Sequence, residues 1–250
     1  MRARKVPRDS TWQDMADEDF DIATLAAYLH LMPAQVMRLA ERGKVPGRRI
    51  GGDWRFSRPE VNQWLEQRIG ATDDDQELAD MEATLRRVDH VKTEITLAEL
   101  MPAEAVAVPL AARTRGKVIA GMCDLAATTG LLWDPERMAD AVTAREDMHS
   151  TALDIGVALL HPRRPQASIM GGPVIAMGLV AGGIPFGGAG GGLTDVFFLI
   201  AATSDHEHLR ALARLSRVIN DSAWLTELRE APDAKAARRL VVDRDRELGP

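Results

Sequence analysis

The sequence predicts an α/β chain in two parts: a small helical head carrying a β-hairpin, and a larger layered domain in which strands and helices alternate. Three observations predict it. Between Asp21 and Arg68, apolar residues recur at helical spacing on both sides of a Gly-Gly turn. From Ile95 onward, short apolar runs alternate with amphipathic stretches, the pattern of a layered α/β domain. Charge divides the chain at the same place. The net charge is −6 over 250 residues, yet Arg38–Arg58 holds seven cations against two anions, so that window is +5 and the remainder −11.

Composition narrows the class. With 46% hydrophobic and 27% charged residues the chain can bury a core, which excludes a disordered or collagen-like protein. A single cysteine, Cys123, excludes an internal disulfide and a cysteine-based zinc site. The basic start MRARKVPRDS has no apolar core behind it, so no signal peptide is expected and the chain reads as cytoplasmic. Pro165–Thr194 is free of charge and long enough to span a bilayer, but ten of the twenty glycines lie between Gly171 and Gly192. It reads instead as two buried strands, Val174–Val180 and Val196–Ala201, joined by a glycine loop, with no membrane partner.

In the head, Ile22, Leu25, Ala26 and Leu29 mark a first helix with Asp21 as its N-cap. Pro33 suits the first turn of a second helix, which places Val36, Leu39 and Ala40 inward, places Gln35, Arg38 and Arg42 outward, and stops at Gly43. Gly47–Phe56 reads as two short strands about a Gly-Gly-Asp turn. A third helix, Pro59–Arg68, presents Val61, Trp64 and Leu65. The basic window is either a polyanion site or a solvated face; charge alone does not choose.

The run Phe20–Ile69 resembles the excisionase/MerR-like winged helix-turn-helix family. The matching pieces are Leu25-Ala-Ala-Tyr-Leu29, Arg42-Gly-Lys-Val-Pro46, Ile50-Gly-Gly-Asp-Trp-Arg-Phe56 and Arg58-Pro-Glu-Val61. The resemblance implies double-stranded DNA as a partner, with Gln35, Arg38 and Arg42 facing it from the second helix and Arg48, Arg49 and Arg55 from the wing.

The expected domains are a winged helix-turn-helix head at 18–70, a helical linker at 71–94 and a second domain at 95–243. In the linker, Leu78, Met81, Leu85 and Val88 form a two-heptad seam on a helix Gln76–His90. That helix either lies on the second domain or makes a homodimer contact. The second domain then reads as a strand Ala105–Leu110, a helix Gly116–Ala127 and a helix started by Asp134-Pro135 and ending near Arg145-Glu146. Next come a strand Ile155–Leu160, the two strands around the glycine loop, a helix His206–Asn220, and two short helices capped by Asp221 and Asp233.

Histidines concentrate the chemistry of this domain. His30, His90 and His149 fall at or near helix ends, where capping or surface roles are usual. His161 instead ends an apolar strand and His208 opens a helix directly after another strand, so the two imidazoles can meet at one sheet edge. On geometry alone they are a reactive pair or two ordinary histidines.

The segment Arg145–His161, with Phe197–Ile200 and His208–Ser216, resembles the IIA domains of the phosphotransferase system, of the fructose/mannitol and nitrogen-regulatory class, over roughly Ile95–Asp243. The resemblance implies an α/β sandwich, a mixed sheet flanked by helices. His161 would then accept a phosphoryl group from the phosphocarrier protein HPr, His208 and Arg145 would steady it, and Thr151 would lie nearby. Neutral imidazole is a capable nucleophile near pH 7, and phosphoryl transfer needs an aligned acceptor and donors for the equatorial oxygens. The chain departs from the family pattern at Leu160 and Pro162, which flank the histidine, and at Asp154, which brings a negative charge near the site.

Other motifs carry less. The glycines of 187–192 precede a strand and lack dinucleotide spacing; no phosphate-binding G-x-x-x-x-G-K-[ST] loop occurs; and Asp205-His-Glu-His208 lacks metalloprotease spacing. No metal and no cofactor is expected. The leading expectation is a DNA-binding regulator that reads the state of the relay through His161, a phosphoryl carrier rather than a free-standing enzyme. The alternatives are a carrier serving a sugar-permease IIB component and a phosphorylation-independent sensor.

Overall fold

The computed structural model describes residues 19–29, 31–71 and 96–249. The expected seam helix Gln76–His90, and with it Leu78, Met81, Leu85, Val88, His90 and His30, lies outside the described residues. The chain divides into two compact units, one ending at Gln67 and one beginning at Arg68.

In the first unit β1 (Asp19–Phe20) leads into α1 (Ile22–Leu29) and α2 (Pro33–Glu41), then the hairpin β2 (Arg48–Ile50) and β3 (Asp53–Ser57), then α3 (Arg58–Ala71), whose residues from Arg68 onward, Ile69 among them, belong to the second unit. Asp21 caps α1: its Oδ1 accepts the Thr24 N–H at 2.7 Å, while the Thr24 hydroxyl accepts the Asp21 N–H at 2.9 Å. The hairpin closes through Gly51 and Gly52 at φ 62° and 96°, the left-handed pair that a two-residue turn requires. Its register sets Arg48 opposite Arg55 and Arg49 opposite Trp54. Leu25, Val36, Phe56 and Val61 are fully buried between these elements. Tyr28 ties α1 to α3 by donating to Asn62 Oδ1 at 2.8 Å. The strand β1 has no sequence counterpart; Phe20 is placed there by pairing with Phe56 across β3.

The second unit contains α4 (Leu97–Leu100), β4 (Val106–Ala107), α5 (Arg115–Ala127), α6 (Pro135–Met148), β5 (Val157–Leu160), β6 (Val174–Pro185), β7 (Leu193–Ala201), α7 (Asp205–Ile219), α8 (Ser222–Arg229) and α9 (Ala234–Glu247). The strands form one mixed sheet ordered β4-β6-β7-β5, with β4/β6 and β5/β7 parallel and β6/β7 antiparallel. Alternate side chains of β5, β6 and β7, among them Ala158, Leu160, Ala176, Phe197 and Leu199, pack with Val118, Met122, Met138 and Val142 of α5 and α6. The alternating set Val157, Leu159, Ile175, Phe198 and Ile200 is equally buried on the other face. Helix α7 packs against β7, and α9 packs against β4. Such two-sided burial explains why these strands read as unbroken apolar runs.

Three expectations are corrected. The strand Ala105–Leu110 shrinks to two residues, because Ala105 closes a short 3₁₀ turn and Pro109 has no N–H for a ladder. The strands around the glycine loop are longer than expected: the ladder breaks after Leu179 and resumes at Ile184, with Gly182 and Gly183 at positive φ between them. The last helix is not short, running fourteen residues from its Asp233 cap.

Candidate functional site

The head presents its six expected contacts unequally. Arg38 and Arg42 are exposed on and just beyond α2. Gln35 is exposed as well, but its Oε1 accepts the Met32 N–H at 2.8 Å and so caps its own helix. Arg48 pairs with Asp19 at 3.0 Å, and the Arg49 guanidinium stacks 5.1 Å from the Trp54 ring centroid. Arg55 is half-buried opposite Arg48 on the same face of the hairpin, and the two like charges are countered by Asp19 on Arg48 and by Asp21 acting on Arg55. Arg58, also in the basic window, instead packs 4.4 Å from the Phe20 ring centroid.

In the second unit the sheet places the histidines. Strands β5 and β7 are parallel neighbours, Leu160 opposite Leu199, so both chains leave the sheet at the same end. His161 follows β5 immediately; His208 lies in the first turn of α7, which Ser204 caps through the Glu207 N–H. The two rings lie 4.8 Å apart between centroids, tilted 47°, and both residues are buried. Nδ1 of His161 is 2.8 Å from the Leu159 carbonyl. A carbonyl only accepts, so Nδ1 carries the proton and, in the neutral ring, Nε2 holds the lone pair.

Thr151 attaches to this centre through the chain beside β5, and Arg145 holds the turn that leads into that chain. Arg145, buried in the last turn of α6, donates to the His149 carbonyl at 2.8 Å. Its neighbour Glu146, 3% exposed, receives the Thr151 N–H at 3.2 Å and the Thr151 hydroxyl proton. Residues 151–153 then fold back along β5: Leu159 N–H donates to the Thr151 carbonyl at 3.4 Å and Leu153 N–H to the Val157 carbonyl at 2.7 Å. Thus Glu146 holds Thr151, Thr151 holds Leu159, and Leu159 orients His161. The sequence motif contains Glu146, yet nothing in it assigns the residue this anchoring role. No side-chain pattern could have shown the Leu159 carbonyl.

The charge of Asp154 is directed elsewhere than expected. Its Oδ1 accepts the Gly190 N–H at 2.8 Å and so tethers the glycine loop. A second tether runs from the Ser150 hydroxyl to the Phe186 carbonyl at 3.3 Å. Cys123 is buried in α5, and desolvation, with Asp124 adding to it, pushes its thiol up to about 12, so thiolate chemistry near neutrality is closed to it. No helix among the described residues is long and apolar enough to cross a membrane.

Two family models match this chain. Residues 99–243 match the phosphoenolpyruvate-dependent sugar phosphotransferase system, EIIA 2, and residues 20–69 match a helix-turn-helix domain. The fructose-specific EIIABC component of Bacillus subtilis is 27% identical over 152 residues, which cover 60% of this chain and 24% of that protein, so this chain spans only about a quarter of it. A nitrogen regulatory protein of Pseudomonas aeruginosa is 25% identical over 132 residues, 52% of this chain and 84% of that one. The crystal structure of IIA mannitol from Escherichia coli superposes with a TM-score of 0.51 at 18% identity, covering 56% of this chain and 97% of that one; the likeness is one of fold.

Proposed function

Because the chain belongs to the EIIA 2 family of the phosphoenolpyruvate-dependent sugar phosphotransferase system and joins to it a helix-turn-helix domain, we propose that it is a DNA-binding regulator phosphorylated on His161. The observation that carries this reading is the buried His161–His208 pair, with the His161 tautomer set by Leu159. The donor is the phosphocarrier protein HPr. In the transfer, the nitrogen–phosphorus bond of phospho-HPr breaks as a bond forms from Nε2 of His161, while Nδ1–H stays on the Leu159 carbonyl. His208 supplies an N–H to the phosphoryl oxygens, and Arg145 supplies positive charge. Thr151 acts through its bond to Glu146, as a positioning residue.

The product adds nearly two negative charges to the second unit. On this reading that charge changes how tightly the head binds double-stranded DNA. Arg38 and Arg42 contact the DNA from α2, and Arg48, Arg49 and Arg55 contact it from the wing.

The test is to incubate the full-length protein with phosphoenolpyruvate, enzyme I and HPr and to read its intact mass beside His161→Ala. DNA affinity is then measured in both states. A phosphate adduct on the wild type alone, with a changed affinity, supports the proposal. A second reading, a sensor that is never phosphorylated, rests on Leu160 and Pro162 around the histidine. It predicts no adduct while a competent IIA protein in the same mixture is labelled.

A further inference from the structure

The second unit carries a cleft of about 410 Å³. It opens where Leu153, Asp154 and Ile155 turn into β5, at the end of that strand opposite His161. Its far wall is the C-terminal part of α7 with the start of α8. Ser216, on that wall, stands eight residues beyond His208, about 12 Å along the helix axis. The cleft is therefore separate from the histidine pair.

Its chemistry is specific. Asp154, Ser216, Asn220 and Ser222 supply polar groups, while Ile219 and Leu225 form apolar surface. None of the described residues lining it is Lys, Arg or His. Ser216 is 6% exposed, and its hydroxyl has no hydrogen-bond partner among the described residues. A buried hydroxyl in that condition is one that a bound molecule can satisfy. Asp154 uses Oδ1 for Gly190, and Oδ2 accepts from no described residue.

We propose that this cleft binds a neutral, polyhydroxylated molecule of monosaccharide size. The nearest placed cation, Arg229, is held outside the lining on the Ile155 carbonyl and Asp195, so the cleft wall itself offers an anionic ligand a carboxylate and no positive charge. Hydroxyl groups, which both donate and accept, match the Asp, Asn and Ser set. The aliphatic surface of Ile219 and Leu225 suits the C–H face of a polyol or sugar ring. The volume exceeds that of a single such molecule and leaves room for bridging water. Occupancy of the cleft does not require phosphorylation of His161.

The test titrates the full-length protein with glucose and with mannitol, read by saturation-transfer difference and by ¹H–¹⁵N correlation spectra. Glucose 6-phosphate and spermidine serve as the anionic and cationic probes. Saturable binding of a neutral polyol, weakened about five-fold or more by Ser216→Ala and by Asp154→Asn, is the expected result. Both substitutions keep the local backbone, since Ala suits the helix and Asn keeps an oxygen for the Gly190 amide. No polyol binding up to roughly 50 mM overturns the proposal, because weaker association lies beyond any specific site. So does polyol binding indifferent to both substitutions, which places it elsewhere, or binding of only the charged probes, which names another chemistry.

Discussion

His161 gives its Nδ1 proton to the carbonyl of Leu159, two residues back on the strand that delivers it. This bond sets which nitrogen can act as a nucleophile without any side chain beyond the ring. The neutral His161 ring should therefore show the Nδ1–H tautomer in long-range ¹H–¹⁵N spectra, and the phosphorylated protein should carry phosphorus on Nε2. A phosphorus coupling to Nδ1 instead would remove the assignment made from Leu159.

Glu146 and Thr151 form a part-buried hydrogen bond, and leaving one partner of such a bond unsatisfied costs about 1–3 kcal/mol. Thr151→Val should lower stability by about that amount in urea unfolding. It should also slow phosphorylation of His161, while Thr151→Ser restores both. A Val variant with wild-type phosphorylation would show that the segment does not orient His161.

Gln35 and Arg38 sit one turn apart on α2 yet should behave differently. The Gln35 carbonyl is spent on its own helix start, so Gln35→Ala should cost about 0.5–1 kcal/mol of stability and leave base preference unchanged. Arg38→Ala should leave stability intact and weaken binding to a fragment selected from random DNA by about 1–3 kcal/mol. A changed selected sequence with the Gln35 variant would reverse the roles.

Asp21 adds a pH dependence. Bonds from the Thr24 backbone and hydroxyl lower its pKa below the ordinary value of 3.8, outweighing desolvation. A depressed folded pKa means the unfolded chain binds the proton more tightly. The stability from this cap is thus full above about pH 4 and is lost as pH falls through the lowered value. Asp21→Ala should cost about 1 kcal/mol at pH 7, with the gap to wild type closing in acid. A gap constant from pH 7 to pH 2.5, measured by urea unfolding at points spaced by roughly half a unit, would contradict it.

Asp245, 2% exposed, accepts from Arg214 on α7 and from the Leu97 N–H that opens α4. Asp245→Ala leaves a nearly buried guanidinium without its carboxylate and should cost about 3–5 kcal/mol, visible in thermal and urea unfolding. A loss under about 1 kcal/mol would mean that water reaches the pair.

Much of this was legible in the sequence, for reasons particular to each element. Asp21, Asp134, Asp221 and Asp233 announce helix starts because capping is local, and each accepts the N–H groups its position predicts. The Gly51-Gly52 turn is legible because few residue pairs tolerate two positive φ angles. The meeting of His161 and His208 follows from strand-to-loop positions alone, once β5 and β7 are parallel neighbours. What sequence could not show depended on partners distant along the chain. The strand at Asp19–Phe20 exists only because β3 pairs with it, and Gln35 looks like a base reader until its oxygen is found on Met32. The Leu159 carbonyl was hidden for a different reason: every residue has one.

Residues 151–153, folded back along β5, have a second consequence. Strand β5 closes one side of the sheet, and its outward N–H and C=O groups are a template onto which another chain could add a strand. The Thr151 and Leu153 backbone occupies that template, with Ala152 bridged to Ala158. The bonds that orient a histidine thus also cover the free edge of β5. Damage to them should expose that edge and favour aggregation, at the same time as it loosens the strand that carries His161.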